Sequence, residues 1–274
     1  QAAVVTALLN DYSADPNPVD ADGMSALGWA AAKGQVKVAS ALLSHDGIAV
    51  NQTSSKGDTP LIIATKDKRS KGVLQKLVGD QRVDVGVKDG AGHTALTCAA
   101  QHGHDTIIKL LMKCTPAGGA TEALVEAMRL GKAGVVKLLM AWPGAVDLSL
   151  LSECQLLKAV RQGNCDVVAA LLANLPRGEP RDPKYHVDPN SQEARTGTTP
   201  LGLAVEMHRV DMVEALVAAP GVNVGMPCNN AGRTPLKWVE ERLAMPQEML
   251  LPEDRTKLAA IHKLISGEIK TTNV

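Results

Sequence analysis

The stretch GDTPLIIA, residues 57–64, decides how the rest of this chain is read. Gly57 suits the positive φ of a tight turn. Thr59 suits a helix N-cap, where its hydroxyl accepts a backbone N–H of the first turn. Pro60 suits the first helical position, where a missing N–H costs nothing. Leu61 then begins an apolar run. The stretch therefore reads as a turn that launches a helix with a buried face.

The same turn returns. GTTPL occupies 197–201 and GRTPL 232–236, and GMSAL at 23–27 and GHTAL at 92–96 are close variants. A second pattern follows each turn. Counting from Gly103, apolar residues fall at Ile107, Ile108, Leu110, Leu111 and Met112. The same offsets recur from Gly131 (Val135, Val136, Leu138, Leu139, Met140) and from Gly163 (Val167, Val168, Ala170, Leu171, Leu172). They recur from Gly34 and, with His208 in place of glycine, at Met212, Val213, Ala215, Leu216 and Val217. This spacing is one buried helical face. Taking the first apolar residue of each unit as a marker gives Leu27, Leu61, Leu96, Leu124, Leu156, Leu201 and Leu236, with steps of 34, 35, 28, 32, 45 and 35 residues. Each unit is a turn, a short helix, a reversal and a second helix. Neither helix buries its face alone, so neighbours must stack into a solenoid.

The period, the GxTPL turns, the Ala30-Ala31 and Ala99-Ala100 pairs and the second-helix pattern resemble ankyrin repeats across nearly the whole chain. The resemblance implies an all-α solenoid of stacked helix-turn-helix units with short hairpin fingers. It implies one domain over 1–274: a partial repeat or cap at 1–10, and repeats near 19–50, 53–87, 88–117, 118–149, 150–187, 193–227 and 228–251. An insertion at 174–195 and a capping helix with tail at 252–274 complete it. The sequence departs from the family where a His ordinarily follows TPL; Gly28, Ile62, Thr97, Val125, Leu157, Gly202 and Lys237 stand there. Units four and five lack GxTPL and are expected to have missing or shortened fingers, with Ser152 as the fifth unit's N-cap. KDKRSKG in unit two, residues 66–72, suggests an insertion at the reversal. The proline-rich, charged 174–195 segment reads as a loop with Tyr185 and His186 at its tip.

Composition narrows the function. Lys plus Arg and Asp plus Glu are 29 each, so there is no global basic footprint for nucleic acid. No run approaches the roughly 18 apolar residues of a membrane span. Five cysteines without a CxxC give no disulfide framework. They read as reduced thiols, hence an intracellular location, in the cytoplasm or an organelle interior. With no Phe, three Trp and two Tyr, the core is aliphatic. Trp29 and Trp238 share a register two residues past their marker leucines and read as core.

No Walker loop, GxSxG or HExxH occurs, so no catalytic residue, cofactor or enzyme activity is expected. Cys98 and His102 lie i, i+4, but a zinc site wants three or four protein ligands and the sequence displays only this pair. No metal site is assigned. The resemblance implies a protein–protein interaction module, an adaptor or scaffold, that binds its partner through a concave groove and finger tips. Mapped onto this chain, the expected contact residues at the first-helix ends are Lys33, Lys66, Asp67, Gln101, His102, Arg129, Arg161, Gln162, Glu206 and Met207. Met24, His93 and Arg233 represent the tips, among positions that include Asp58 and Thr198. Lys33, Lys66, Arg129 and Arg161 read as a cationic row favouring an acidic or polar partner segment. A structural subunit of a large assembly, or the targeting arm of an enzyme, are the alternative readings.

Overall fold

The computed structural model describes residues 2–10, 14–116, 118–142, 144, 146–147, 155–173 and 187–267. Cys154, the Ser152 cap, the Tyr185–His186 tip and the tail after 267 lie outside them. The described residues are all-α, with fifteen α-helices and no strand, only isolated bridge residues, among them the pair Val19 and Ser25. The chain forms two compact units, 1–135 and 136–274.

In the first unit, α2 (Ala26–Ala32), α4 (Pro60–Thr65), α6 (Ala95–His102) and α8 (Thr121–Arg129) pack side by side in one row. Helices α1 (Ala2–Asn10), α3 (Val36–Leu43), α5 (Lys71–Val78) and α7 (Asp105–Met112) form a second row behind it. Helix α9 (Ala133–Met140) falls at the division. In the second unit, α10 (Gln155–Arg161), α12 (Pro200–Glu206) and α14 (Pro235–Leu243) make one row, and α11 (Cys165–Leu172), α13 (Val210–Ala218) and α15 (Pro252–Ile265) the other. No described helix is long and apolar enough to cross a membrane.

The local chemistry of GDTPLIIA repeats. Thr59 Oγ1 accepts the Ile62 N–H at 3.2 Å with Pro60 at the first position of α4, and Ser25, Thr94, Thr199 and Thr234 cap their helices in the same way. Gly57 has φ +77°, and an added Cβ would lie 2.5 Å from the Gly90 nitrogen of the next finger. Neighbouring fingers bond backbone to backbone: Ser55 N–H to the Asp22 carbonyl at 2.9 Å, Gly90 N–H to Lys56 at 2.9 Å, and Asn230 N–H to Thr196 at 3.0 Å. Asparagines clamp successive loops as well. Asn17, Asn51 and Asn190 each donate to one backbone carbonyl and accept one N–H about a repeat further on. The periodic loops thus satisfy buried and half-buried backbone groups that helices alone would leave open.

Two reversals depart from the glycine pattern. His208 is the sole described non-glycine residue at positive φ, +55°. Its ring lies beside Trp238, and Nδ1 sits 3.2 Å from Asp254 Oδ1 on α15. In unit two, a 3-10 turn at Lys68–Ser70 stands at the reversal, and Ser70 Oγ donates to the Ala31 carbonyl of the preceding repeat at 2.6 Å.

Two core expectations need correction. Six marker leucines are buried, but Leu236 is half-buried, because no described helix follows α14 in its row. Trp238 is buried, but Trp29 is 43% exposed. His208 and Arg242 cover Trp238, whereas Trp29 turns outward, donates Nε1–H to Asp20 Oδ2 at 2.7 Å and carries Lys33 5.4 Å above its ring.

Candidate functional site

The ends of the first-row helices and the adjoining fingers hold most of the residues that the sequence nominates. In the first unit, Lys33, Lys66, His102 and Arg129 are exposed, and Met24, Asp67, His93 and Gln101 are half-buried. In the second, Arg161, Gln162, Glu206 and Met207 are exposed and Arg233 is half-buried. Asp58 and Thr198, assigned to tips by register, are buried instead: Asp58 pairs with Lys66, and Thr198 Oγ1 lies 2.7 Å from Thr196 Oγ1.

The cations of the row have partners that a count of positive charge overlooks. Lys66 Nζ meets Asp58 Oδ2 at 2.7 Å. Arg129 grips Glu126 through Nε and an η-nitrogen at 2.8 and 2.6 Å. Arg161 reaches Glu193 of the next finger at 3.0 Å, and Arg233 meets Glu241 at 3.1 Å. Lys33 sits over Trp29, an attraction of about 0.5–1 kcal/mol at an exposed ring. Asp67 is taken up by Arg69 beside it, and His102 turns Nδ1 to the Cys98 carbonyl of its own helix at 2.8 Å. On each unit the face therefore carries mixed charge.

One cluster links finger to helix. Gln101 Nε2 donates to Glu126 Oε1 at 3.0 Å and stands 3.3 Å from His93 Nε2. Gln101 and Arg129 thereby converge on Glu126, and His93 joins them through Gln101. Hydrogen bonds from Arg129, aided by Gln101, overcome the cost of burial and hold the Glu126 carboxyl down to about 2. Glu193 is likewise held below its ordinary value by Thr196 and Arg161.

Sequence reasoning missed Trp29, Glu126 and Glu193 as parts of this surface. Glu126 was within reach of it: it shares the register of Trp29 and lies i, i+3 to Arg129, a spacing at which side chains meet. Glu193 was not, because its partner Arg161 is 32 residues away across the insertion.

A family model described as ankyrin repeats (3 copies) matches residues 1–89, 66–150 and 156–242. An ankyrin repeat-containing protein of Schizosaccharomyces pombe is 31% identical over 101 residues, covering 36% of this chain and 43% of the relative. The chain thus spans less than half the length of that curated relative. Its stacked helix pairs, its capped finger-to-helix turns and these matches together show that the chain belongs to the ankyrin repeat family, whose members are generally protein–protein interaction modules and generally non-catalytic.

Proposed function

We propose that this chain is a non-enzymatic adaptor or scaffold that holds a protein partner against the first-row helix ends and fingers of residues 1–135. The supporting observation is the network that joins His93, Gln101 and Arg129 through Glu126, next to a row bearing the exposed Trp29. Such a network fixes donors and acceptors before a partner arrives, which lowers the ordering cost of binding. An exposed, tethered Trp is the residue type that most often anchors an interface. Because Lys66 and Arg129 already hold carboxylates, the partner segment that fits is polar and of mixed charge rather than strongly acidic. Arg161, Gln162, Glu206, Met207 and Arg233 offer a similar face on the second unit.

A second reading, a subunit embedded in an assembly, rests on the exposed apolar residues Met245, Met249 and Leu251 between α14 and α15. Capture of partners from the native source with cross-linking, using the intact protein and two variants, separates the two. Trp29→Ala with Arg129→Gln is expected to lose the partner while Met245→Ser with Met249→Ser and Leu251→Ser keeps it. The reverse pattern replaces the adaptor reading with the embedded subunit. Charge reversal at Lys66 or Arg129 is a poor probe, since it sets like charges against Asp58 or Glu126 and disturbs the fold itself.

A further inference from the structure

We propose that Asp89, His93 and Cys98 form a binding site for a zinc-class divalent cation, with three protein ligands and a fourth position open to water. The finger of the third repeat carries Asp89 and His93, and α6 brings Cys98 beneath them. Asp89 Oδ2 lies 3.7 Å from His93 Nδ1 and 3.8 Å from Cys98 Sγ. All three ligand atoms lie within 4.8 Å of one another. Zinc bonds of about 2.0–2.3 Å at tetrahedral angles set ligand atoms about 3.3–3.8 Å apart, so small side-chain rotations complete the geometry. A thiol, an imidazole and a carboxylate are a donor set suited to a borderline-soft cation rather than to calcium or magnesium.

The neighbouring fingers give the contrast. The same register brings Asp20, Met24 and Trp29 together in the first repeat and Ser54, Asp58 and Ile63 in the second. The scaffold that gathers three side chains is common to these repeats, but the third alone among them supplies three metal-binding atoms. Asp89 is also fixed in place: its Oδ1 accepts the Ala91 and His93 N–H groups at 2.9 and 2.8 Å, which aims Oδ2 at the cluster.

The chemistry balances simply. In the free protein the Cys98 S–H points to Asp89 Oδ2. On binding, the S–H bond breaks, a sulfur–metal bond forms, and the proton leaves to solvent. Ligation through His93 Nδ1 leaves the proton on Nε2. The half-buried Gln101 amide then turns its oxygen toward Nε2 and gives up its bond to Glu126, which keeps Arg129. The Lys66 ammonium acts on both Asp89 and Cys98 and opposes the cation, but Asp58 holds it at 2.7 Å and offsets most of its charge.

The test is titration of the full chain, purified in reductant free of thiols, with cobalt(II), followed by competition with zinc. The expected result is one cobalt per chain with a thiolate-to-cobalt charge-transfer band and tetrahedral d–d absorption, both erased by zinc. Cys98→Ala should abolish the band. His93→Ala should weaken binding at least about ten-fold, since loss of even an outer-sphere partner costs 10–100-fold. Both substitutions leave the Asp89 turn intact, and circular dichroism of the variants checks their folding. Absence of the band in the wild-type chain, or its persistence in Cys98→Ala through the exposed Cys114 or half-buried Cys165, overturns the proposal.

Discussion

Helices α4 and α8 enter the same row by different means. α4 follows a finger, a positive-φ glycine, a capping threonine and a proline. Before α8, the Gly119 N–H bonds to the Pro116 carbonyl at 2.9 Å, and Ala120 makes no side-chain cap. Yet Leu61 and Leu124 are equally buried, and α8 buries Ala123, Ala127 and Met128 against its neighbour as α4 buries Ile62 and Ala64. The difference separates two jobs that the repeat motif combines. Apolar register stacks the helices, and the finger adds a second, hydrogen-bonded contact between repeats.

The sharpest way to break this comparison is to hollow out both cores. Leu61→Ala and Leu124→Ala should each cost about 2–5 kcal/mol in urea unfolding. A Leu124 loss well below 1 kcal/mol would mean that the helix without a finger is only loosely packed. Next come two glycines of like backbone and unlike surroundings. Gly92 has φ +85° with open space around its Cβ position, so Gly92→Ala should cost about 1 kcal/mol from φ alone. Gly57→Ala adds the clash with the Gly90 nitrogen and should cost at least about 2 kcal/mol in the same assay. Equal costs would show that the fingers do not press on one another. Thr59→Ala should cost about 1 kcal/mol and raise amide exchange in the first turn of α4, while α8, with no such cap, has nothing comparable to lose.

The smallest effect is electrostatic. Glu126 titrates near 2 folded against 4.5 ordinarily, so its pairing stabilises the fold above pH 4.5 and fades as pH falls toward 2. Arg129 is more than half exposed, so solvent screens the pair and its contribution is small. Arg129→Gln should flatten the stability profile across that window and raise the Glu126 carboxyl pKa seen by NMR. An unchanged pKa would show that Arg129 does not hold the Glu126 carboxylate.

Legibility followed the range of each interaction. The caps at Thr59, Thr94 and Thr199 and the reversals at Gly34, Gly103 and Gly163 act within a few residues, so spacing alone revealed them. Even His208 was marked as the odd reversal by register, and it holds the left-handed backbone that glycine holds elsewhere. The 3-10 turn in unit two was visible only as extra residues. Trp29 and Trp238 show the limit: one register gives an exposed ring in one repeat and a buried one in another, because the covering side chains come from elsewhere in the chain.

The order of residues by itself determined the repeat, its helices and its buried faces, because hydrophobic period and capping chemistry are local properties. Only the tertiary structure decided the charge of the exposed face and the company of Cys98. Asp58, Glu126 and Glu193 neutralise cations that looked free in a linear count. Cys98 turned from the His102 beside it in sequence toward Asp89 and His93 in the finger. Helix geometry pointed the His102 ring to its own backbone, and the fold of the finger over α6 set the three ligand atoms together.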